Sequence, residues 1–487
     1  MAGPNIIIVG RDGTSRDDVA DIAAQICASP KVVIHFHGGL VDRDSAMAVA
    51  QRLAPIYGAG GAETAFLIWQ SGLAEVLRNN LTAIASEPLF TRLLTRILQF
   101  TIGKLRQDDS ARATDILPVP SELEVRGQLA GIKQGSEPYR DLTFSPMEIT
   151  EASIDERQTL ETALAEDTQL QRAIEAILVG QASQSETSRG EPTVATPSQS
   201  LIDPEALEAI EPVSVEPGQR GTVSTLLLAK KGGRIFLRVI KRFRARTDHG
   251  VYPTVVEEIL REFYLGNAGG AIWSAMKRQT ADAFNEDHAA GLLLDGIAKA
   301  ADTSPPQITL VGHSAGAVFI DNLFAELARG DNDGYRRWPR STRFRIVLLA
   351  PASTYRSFAA ETLAAREHYI DELRMFTMTD SAERNDRLLH AIYPRSLLYF
   401  VSGVLERDLS GSSVVTPLTG LARYLEPTYS AMNEIQLPRT YLAGRVVLSP
   451  TDNGAPPGWA AGALTHGDFD DDERVLGSIQ ALIERWQ

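Results

Sequence analysis

The chain has 487 residues, 44% of them hydrophobic, which is enough for one large α/β domain with sizeable insertions or for two domains with full cores. Its formal charge of -14, from 48 Lys and Arg against 62 Asp and Glu, argues against the broad cationic surface that a phosphate backbone requires, so nucleic acid is not an expected partner. The single cysteine, Cys27, cannot form an internal disulfide, and nothing suggests that folding needs an oxidising compartment.

The first predicted element is a strand, Asn5 to Val9. The N-terminus MAGPNIIIVGRDG lacks a basic n-region and its apolar run is too short for a signal peptide, so a cytoplasmic location is expected. Further β-branched runs stand at Val32 to His37, Thr64 to Trp69, Ile308 to Val311, Phe344 to Leu349, Arg374 to Thr379 and Arg445 to Leu448. Helical patterns fall between them at Ser45 to Tyr57, Asp287 to Ala301, Ala317 to Ala328, Phe358 to Glu372 and Asp472 to Trp486. Strands separated by helices predict an α/β fold with a mostly parallel central sheet covered on both faces.

The alternation stops once, for roughly 200 residues between Trp69 and Asp287, where a connection in a compact domain takes about 2 to 6. The chain therefore divides into core segments 1–74 and 287–487 around an insertion at 75–286. Within the insertion, Leu89 to Leu105 has apolar residues at helical spacing with Arg92, Arg96 and Lys104 interspersed, and no run is long and apolar enough to span a bilayer. It reads either as a lid facing an apolar substrate or membrane surface, or as a helix packed on the domain with its arginines in solvent. Ile149 to Val179 reads as one acidic amphipathic helix, and the polar stretch Gln181 to Ser200 as a mobile linker. Leu226 to Arg246 then gathers Lys230, Lys231, Arg234, Arg238, Lys241, Arg242, Arg244 and Arg246. This basic island suits the protein's own acidic surface better than anionic lipid.

Chemistry concentrates at Gly312-His313-Ser314-Ala315-Gly316, which follows a strongly apolar strand and precedes an apolar helix. That is the strand–turn–helix setting of a G-x-S-x-G nucleophile, in which small flanking residues allow the tight turn that exposes the serine. A serine hydroxyl needs a base, and in this arrangement a histidine follows later in the chain. Of the eight histidines, His466 lies after the last predicted strand; His288, His368 and His390 fall on helices, His249 lies in the insertion, and His313 is expected to point away from the serine. The carboxylate that orients the base is expected just past a strand, at Asp380, with Asp386 as the alternate and Asp408 a distant third. An oxyanion hole is expected from the main-chain N–H groups of Gly39 or Leu40, in His37-Gly38-Gly39-Leu40 after the second strand, and of Ala315. His35 and His37 stand at i, i+2 without a carboxylate–histidine cluster, so no metal is expected and His37 reads as a loop-stabilising side chain.

With these pieces in order the sequence resembles the α/β-hydrolase superfamily, and in particular large bacterial serine hydrolases of the lipase/esterase type. The likeness covers roughly Val32 to Trp69 and Ile308 to Gln487, and TDHGVYPTVVEEILREFYL and GGAIWSAMK look like fixed elements of such proteins. It implies acyl transfer to water through a Ser314, His466 and Asp380 triad, with no cofactor, on a small-molecule or lipid ester, and with the insertion as a cap. An amidase, thioesterase or acyltransferase would carry the same core residues, and a catalytically silent interaction module is a further alternative.

Overall fold

The β-branched runs pair edge to edge as a single parallel sheet in the computed structural model, which describes residues 4–10, 13–39, 41–69, 73–110, 120–132, 136–187, 200–210, 220–285, 287–301, 305–332, 338–339, 342–389, 392–406 and 415–485. The strands are β1 (Asn5–Ile8), β2 (Lys31–Phe36), β3 (Glu63–Ile68), β4 (Gln307–His313), β5 (Phe344–Leu349), β6 (Ile370–Met378) and β7 (Val446–Ser449), in the spatial order β1-β3-β2-β4-β5-β6-β7. Consecutive residues of β2, β4 and β5 are nearly all buried, the mark of a sheet covered on both faces. All seven predicted strands are present. In register, Phe36 of β2 faces Gly312 of β4, so the turns that leave these two strands are neighbours at the carboxyl edge of the sheet.

The helices that follow β1 and β2 are α1 (Arg16–Cys27) and α2 (Arg43–Ala59). The insertion contributes α3 (Leu73–Ser86), α4 (Pro88–Ser110), α5 (Glu122–Gly131), α6 (Ile154–Ala165), α7 (Thr168–Thr187), α8 (Pro204–Glu208), α9 (Arg220–Arg244), α10 (Val251–Phe263) and α11 (Ala271–Asp282). The core resumes with α12 (Ala289–Ala301), α13 (Gly316–Asn332), α14 (Tyr355–Phe358), α15 (Arg366–Tyr369), α16 (Asp380–Asn385), α17 (Leu397–Phe400), α18 (Asn433–Leu442) and α19 (Glu473–Arg485).

Three helical expectations change. Phe358 to Glu372 is not one helix: it passes through a π turn at Ala359–Leu363 and α15, and β6 has already begun at Ile370. Ile149 to Val179 splits into α6 and α7 because Asp167 caps the second helix, accepting the N–H groups of Gln169 and Leu170 on Oδ1. The polar stretch after it is helical as far as Thr187, and residues 188–199 lie outside the described residues.

Of the two sequence readings of α4, the packed helix holds for its apolar face but not for its arginines. Leu93, Leu98 and Ile102 are fully buried, so its apolar face is interior to the insertion, packed against α5, α7, α9 and α10. Its cations are not in solvent either: Arg92 and Arg96 both pair with Asp167 and Glu122, and Lys104 pairs with Asp108 and Glu156. Among the described residues no helix is long and apolar enough to cross a membrane.

Most of the basic island is spent internally. Lys231 and Arg234 pair with Glu262, Arg238 with Glu258 and Glu262, Arg242 with Glu257 and Glu258, and Arg244 with Glu151. Arg242, Glu257 and Glu258 have no exposed side-chain surface. The same cluster fastens the insertion to the core, since Glu257 also accepts from the Tyr393 hydroxyl, Arg395 donates to the His249 carbonyl and pairs with Glu137, and Tyr252 donates to the Ile392 carbonyl.

Candidate active site

At the end of β4 the chain reverses so sharply that Ser314 takes φ 53, a left-handed conformation unusual for a residue with a side chain. It is held there from both sides: the Ser314 N–H donates to the Leu349 carbonyl at 2.8 Å, and the Ser314 carbonyl accepts the N–H of Ala352 at 3.0 Å. Small residues are obligatory around it. A Cβ on Gly316 would lie 2.1 Å from the Phe36 carbonyl oxygen, and one on Gly312 would lie 2.9 Å from the Gly316 oxygen. Ser314 therefore opens α13 from a strained elbow, as the G-x-S-x-G pattern predicts.

The turn leaving β2 lies against this elbow. Space for a Cβ on Gly38 ends 3.5 Å from Ser314 Cβ, and on Gly39 it ends 3.0 Å from Ala315 Cβ. Gly39 and Ala315, two of the three residues expected around a developing oxyanion, are thus adjacent; Leu40, the third, lies outside the described residues. His37 braces the turn. Its Nδ1 faces the Gly38 carbonyl at 2.6 Å and its Nε2 accepts the Trp69 N–H at 3.1 Å, which fixes a neutral ring protonated on Nδ1. Burial also favours that form, lowering its pKa to about 4.

His466 begins a 3₁₀ turn, His466–Asp470, that precedes α19. It is 7% exposed, and neither ring nitrogen has a hydrogen-bond partner among the described residues. Burial depresses its pKa to about 3, with His313 pushing the same way and Asp470 opposing, so the ring is a neutral acceptor. Its main-chain N–H donates to Asp386 Oδ2 at 2.9 Å.

The two candidate acids separate clearly. Asp380 opens α16, which Thr379 caps, and its carboxylate accepts the Tyr399 hydroxyl. It does not line the cleft that holds Ser314 and His466, whereas Asp386 does. Asp408 and His390 lie outside the described residues.

His313 corrects an expectation. Its ring does not point away but lies in the same cleft, 5.3 Å from the His466 ring between centroids. Nδ1 meets Asp470 Oδ2 at 2.8 Å and Nε2 meets the His466 carbonyl at 3.0 Å. Burial works against its charge, yet Asp470, then the hydrogen bonds to Asp470 and His466, raise its pKa above the ordinary value. Asp470 itself is held at about 2, burial being outweighed by the His313 charge. Asp470 was legible only as a carboxylate four residues beyond His466 in HGDFDDD.

The cleft encloses about 460 Å³. Gly38, Gly39, Ser314 and His466 line one end of it. Ser45, Ala48, Val49 and Arg52 line it from one face of α2, while Leu388 and Leu397 line it from the segment after β6. Arg52 closes the polar side, paired with Asp471 and bonded to the Asp470 carbonyl. Among the described residues no cleft-lining residue belongs to the insertion. Comparisons with protein-family models, curated proteins and solved structures return no match. The functional reading therefore rests on the chemistry of the site alone. Among the described residues no group of three or more His, Cys, Asp and Glu is placed to hold a metal ion.

Proposed function

We propose that the chain is a serine hydrolase of the α/β-hydrolase fold that cleaves carboxylic esters with an apolar acyl part. Ser314 is the nucleophile, His466 the base, and Asp386, in place of Asp380, the carboxylate beside the base, which holds its main chain by accepting the His466 N–H. The observation that carries this reading is the strained Ser314 elbow opening into a cleft that also holds a buried, neutral histidine with both ring nitrogens unclaimed. The unprotonated ring nitrogen of this neutral histidine has no other partner among the described residues and is open to the serine proton.

In the reaction, Ser314 Oγ attacks the ester carbonyl carbon while its proton passes to His466. The resulting oxyanion faces the N–H groups of Gly39 and Ala315, at the start of α13, where the helix dipole favours negative charge. The imidazolium returns the proton to the leaving alcohol as the carbon–oxygen bond breaks. Water then repeats the sequence on the acyl-enzyme and releases the acid. Val41, Ala48, Val49, Leu388 and Leu397 supply the apolar wall for the acyl group.

The test is labelling with a fluorophosphonate probe, comparing wild type with Ser314→Ala and His466→Ala, followed by a chain-length series of nitrophenyl esters. Labelling of the wild type alone, with turnover of uncharged acyl esters, is expected. Labelling that survives Ser314→Ala would place the reactive group elsewhere.

A further inference from the structure

We propose that His313, the residue before the nucleophile, is a positioning residue that clamps the base as a doubly protonated imidazolium, bridging the Asp470 carboxylate and the main-chain carbonyl of His466. The proposal rests on the hydrolase reading for its catalytic meaning. Its geometric basis is independent of that reading.

Both groups that the ring meets are acceptors. A carbonyl oxygen offers only lone pairs, and so does an ionised carboxylate, so contacts at 2.8 Å and 3.0 Å are both bonds only when both ring nitrogens carry protons. A neutral ring satisfies one contact and sets lone pair against lone pair at the other. Water cannot relieve the conflict, since His313, His466 and Asp470 are 4%, 7% and 5% exposed. The surrounding charges agree: Asp470 and Asp471 favour the cation, while His35 and His37 beside it are neutral, their pKa values lowered to about 4 chiefly by burial. Arg52 is committed to Asp471, Asp386 lines the same cleft, and His466 is neutral. The clamp joins the residue adjoining the nucleophile to the residue that bears the base, so it sets their mutual position through the main chain.

A direction in pH follows. The folded-state pKa of His313 is raised, so its contribution is fully present below the unfolded value of about 6.5 and is lost as pH rises through the folded value. The site should then loosen on the alkaline side, where a neutral His466 alone would leave the rate flat.

The experiment combines nitrogen NMR of labelled imidazoles with the pH dependence of fluorophosphonate inactivation, on wild type, Asp470→Asn and His313→Gln. At about pH 6, below the ordinary histidine value, one buried histidine should show two protonated nitrogens, and that signal should vanish in His313→Gln. The alkaline fall in inactivation rate should track its titration. In Asp470→Asn the amide donates to Nδ1 and leaves Nε2–H for the carbonyl, so a neutral ring now satisfies both contacts and the alkaline limb should disappear. A singly protonated His313 at about pH 6, a rate indifferent to its titration, or an unchanged limb in Asp470→Asn overturns the proposal. A wild type that never labels overturns the hydrolase reading instead, and the NMR arm still decides the protonation of His313.

Discussion

The Trp69 main-chain N–H donates to Nε2 of His37 at 3.1 Å while the two rings stack with centroids 4.0 Å apart. Through this pair the end of β3 holds the turn after β2, and with it Gly38 and Gly39 beside Ser314. Replacing His37 with Ala removes two buried hydrogen bonds and leaves the Trp69 N–H unsatisfied, a loss of about 2–3 kcal/mol of stability. Because the oxyanion donors depend on that turn, the fluorophosphonate rate should fall roughly 10- to 100-fold. A normal rate in a merely less stable protein would detach His37 from the site.

Asp386 and Asp380 are six positions apart in one chain segment, but only Asp386 lines the cleft and bonds the His466 main-chain N–H. Asp386→Asn is expected to slow inactivation by up to roughly 10²-fold, the scale for a catalytic group displaced through its main chain. Asp380→Asn should change it less than about tenfold, since that side chain is engaged with Tyr399. Comparing the two rates at equal folded fraction decides the assignment, and the opposite order would restore Asp380.

The fold was largely legible because its signals are local. Each strand is a short apolar run, and the elbow announces itself by three small residues around Ser314 between such a run and an apolar helix. What failed was long-range. Asp380 is the first carboxylate after β6, but Thr379 caps a short helix there, and the chain must complete that helix before a carboxylate arrives at the cleft. His313 was expected to turn away because its partner, Asp470, is 157 positions distant and leaves no trace in periodicity. Arg92 and Arg96 looked like solvent-facing residues for the same reason, since Asp167 lies more than 70 positions further on.

Arg242 separates the buried part of the basic island from its exposed part. Its guanidinium meets Glu257 and Glu258, all three without exposed side-chain surface, and Glu257 also holds His249 at 2.8 Å. Arg242→Met removes the cation shared by two buried carboxylates, leaving Glu258 to Arg238 and Glu257 to Tyr393 and His249, and should cost about 3 kcal/mol. Arg234, whose side chain is 56% exposed beside Glu262, should cost less than about 1 kcal/mol when changed to Ala. Denaturant unfolding of the two variants measures the contrast, and equal midpoints would contradict the buried network.

Asp321 gives the core a pH dependence of its own. The carboxylate is 1% exposed on α13 and accepts the hydroxyls of Ser357 at 2.9 Å and Thr362. Burial raises its pKa from 3.8 to about 6 against those hydroxyls. A carboxyl raised on folding stabilises below its unfolded value and loses that contribution as pH climbs through the folded one, here between about 4 and about 6, a change on the order of 3 kcal/mol. Urea unfolding at a series of pH values should show this decline in the wild type and a flatter course in Asp321→Asn. Parallel curves would show that Asp321 ionises as freely folded as unfolded.

Among the described residues the cleft takes no lining residue from 75–286, although Met276 of α11 lies against Gly39, and this divides the molecule for natural selection. On the proposed hydrolase reading, substitutions that alter acyl preference fall on α2 and at Leu388 and Leu397, whereas the outer surfaces of α5, α6 and α7 lie away from the cleft. The two halves are inherited on one chain but are free to drift at different rates. A chimera that exchanges those outer surfaces between diverged copies should leave the ester preference of the proposed hydrolase unchanged.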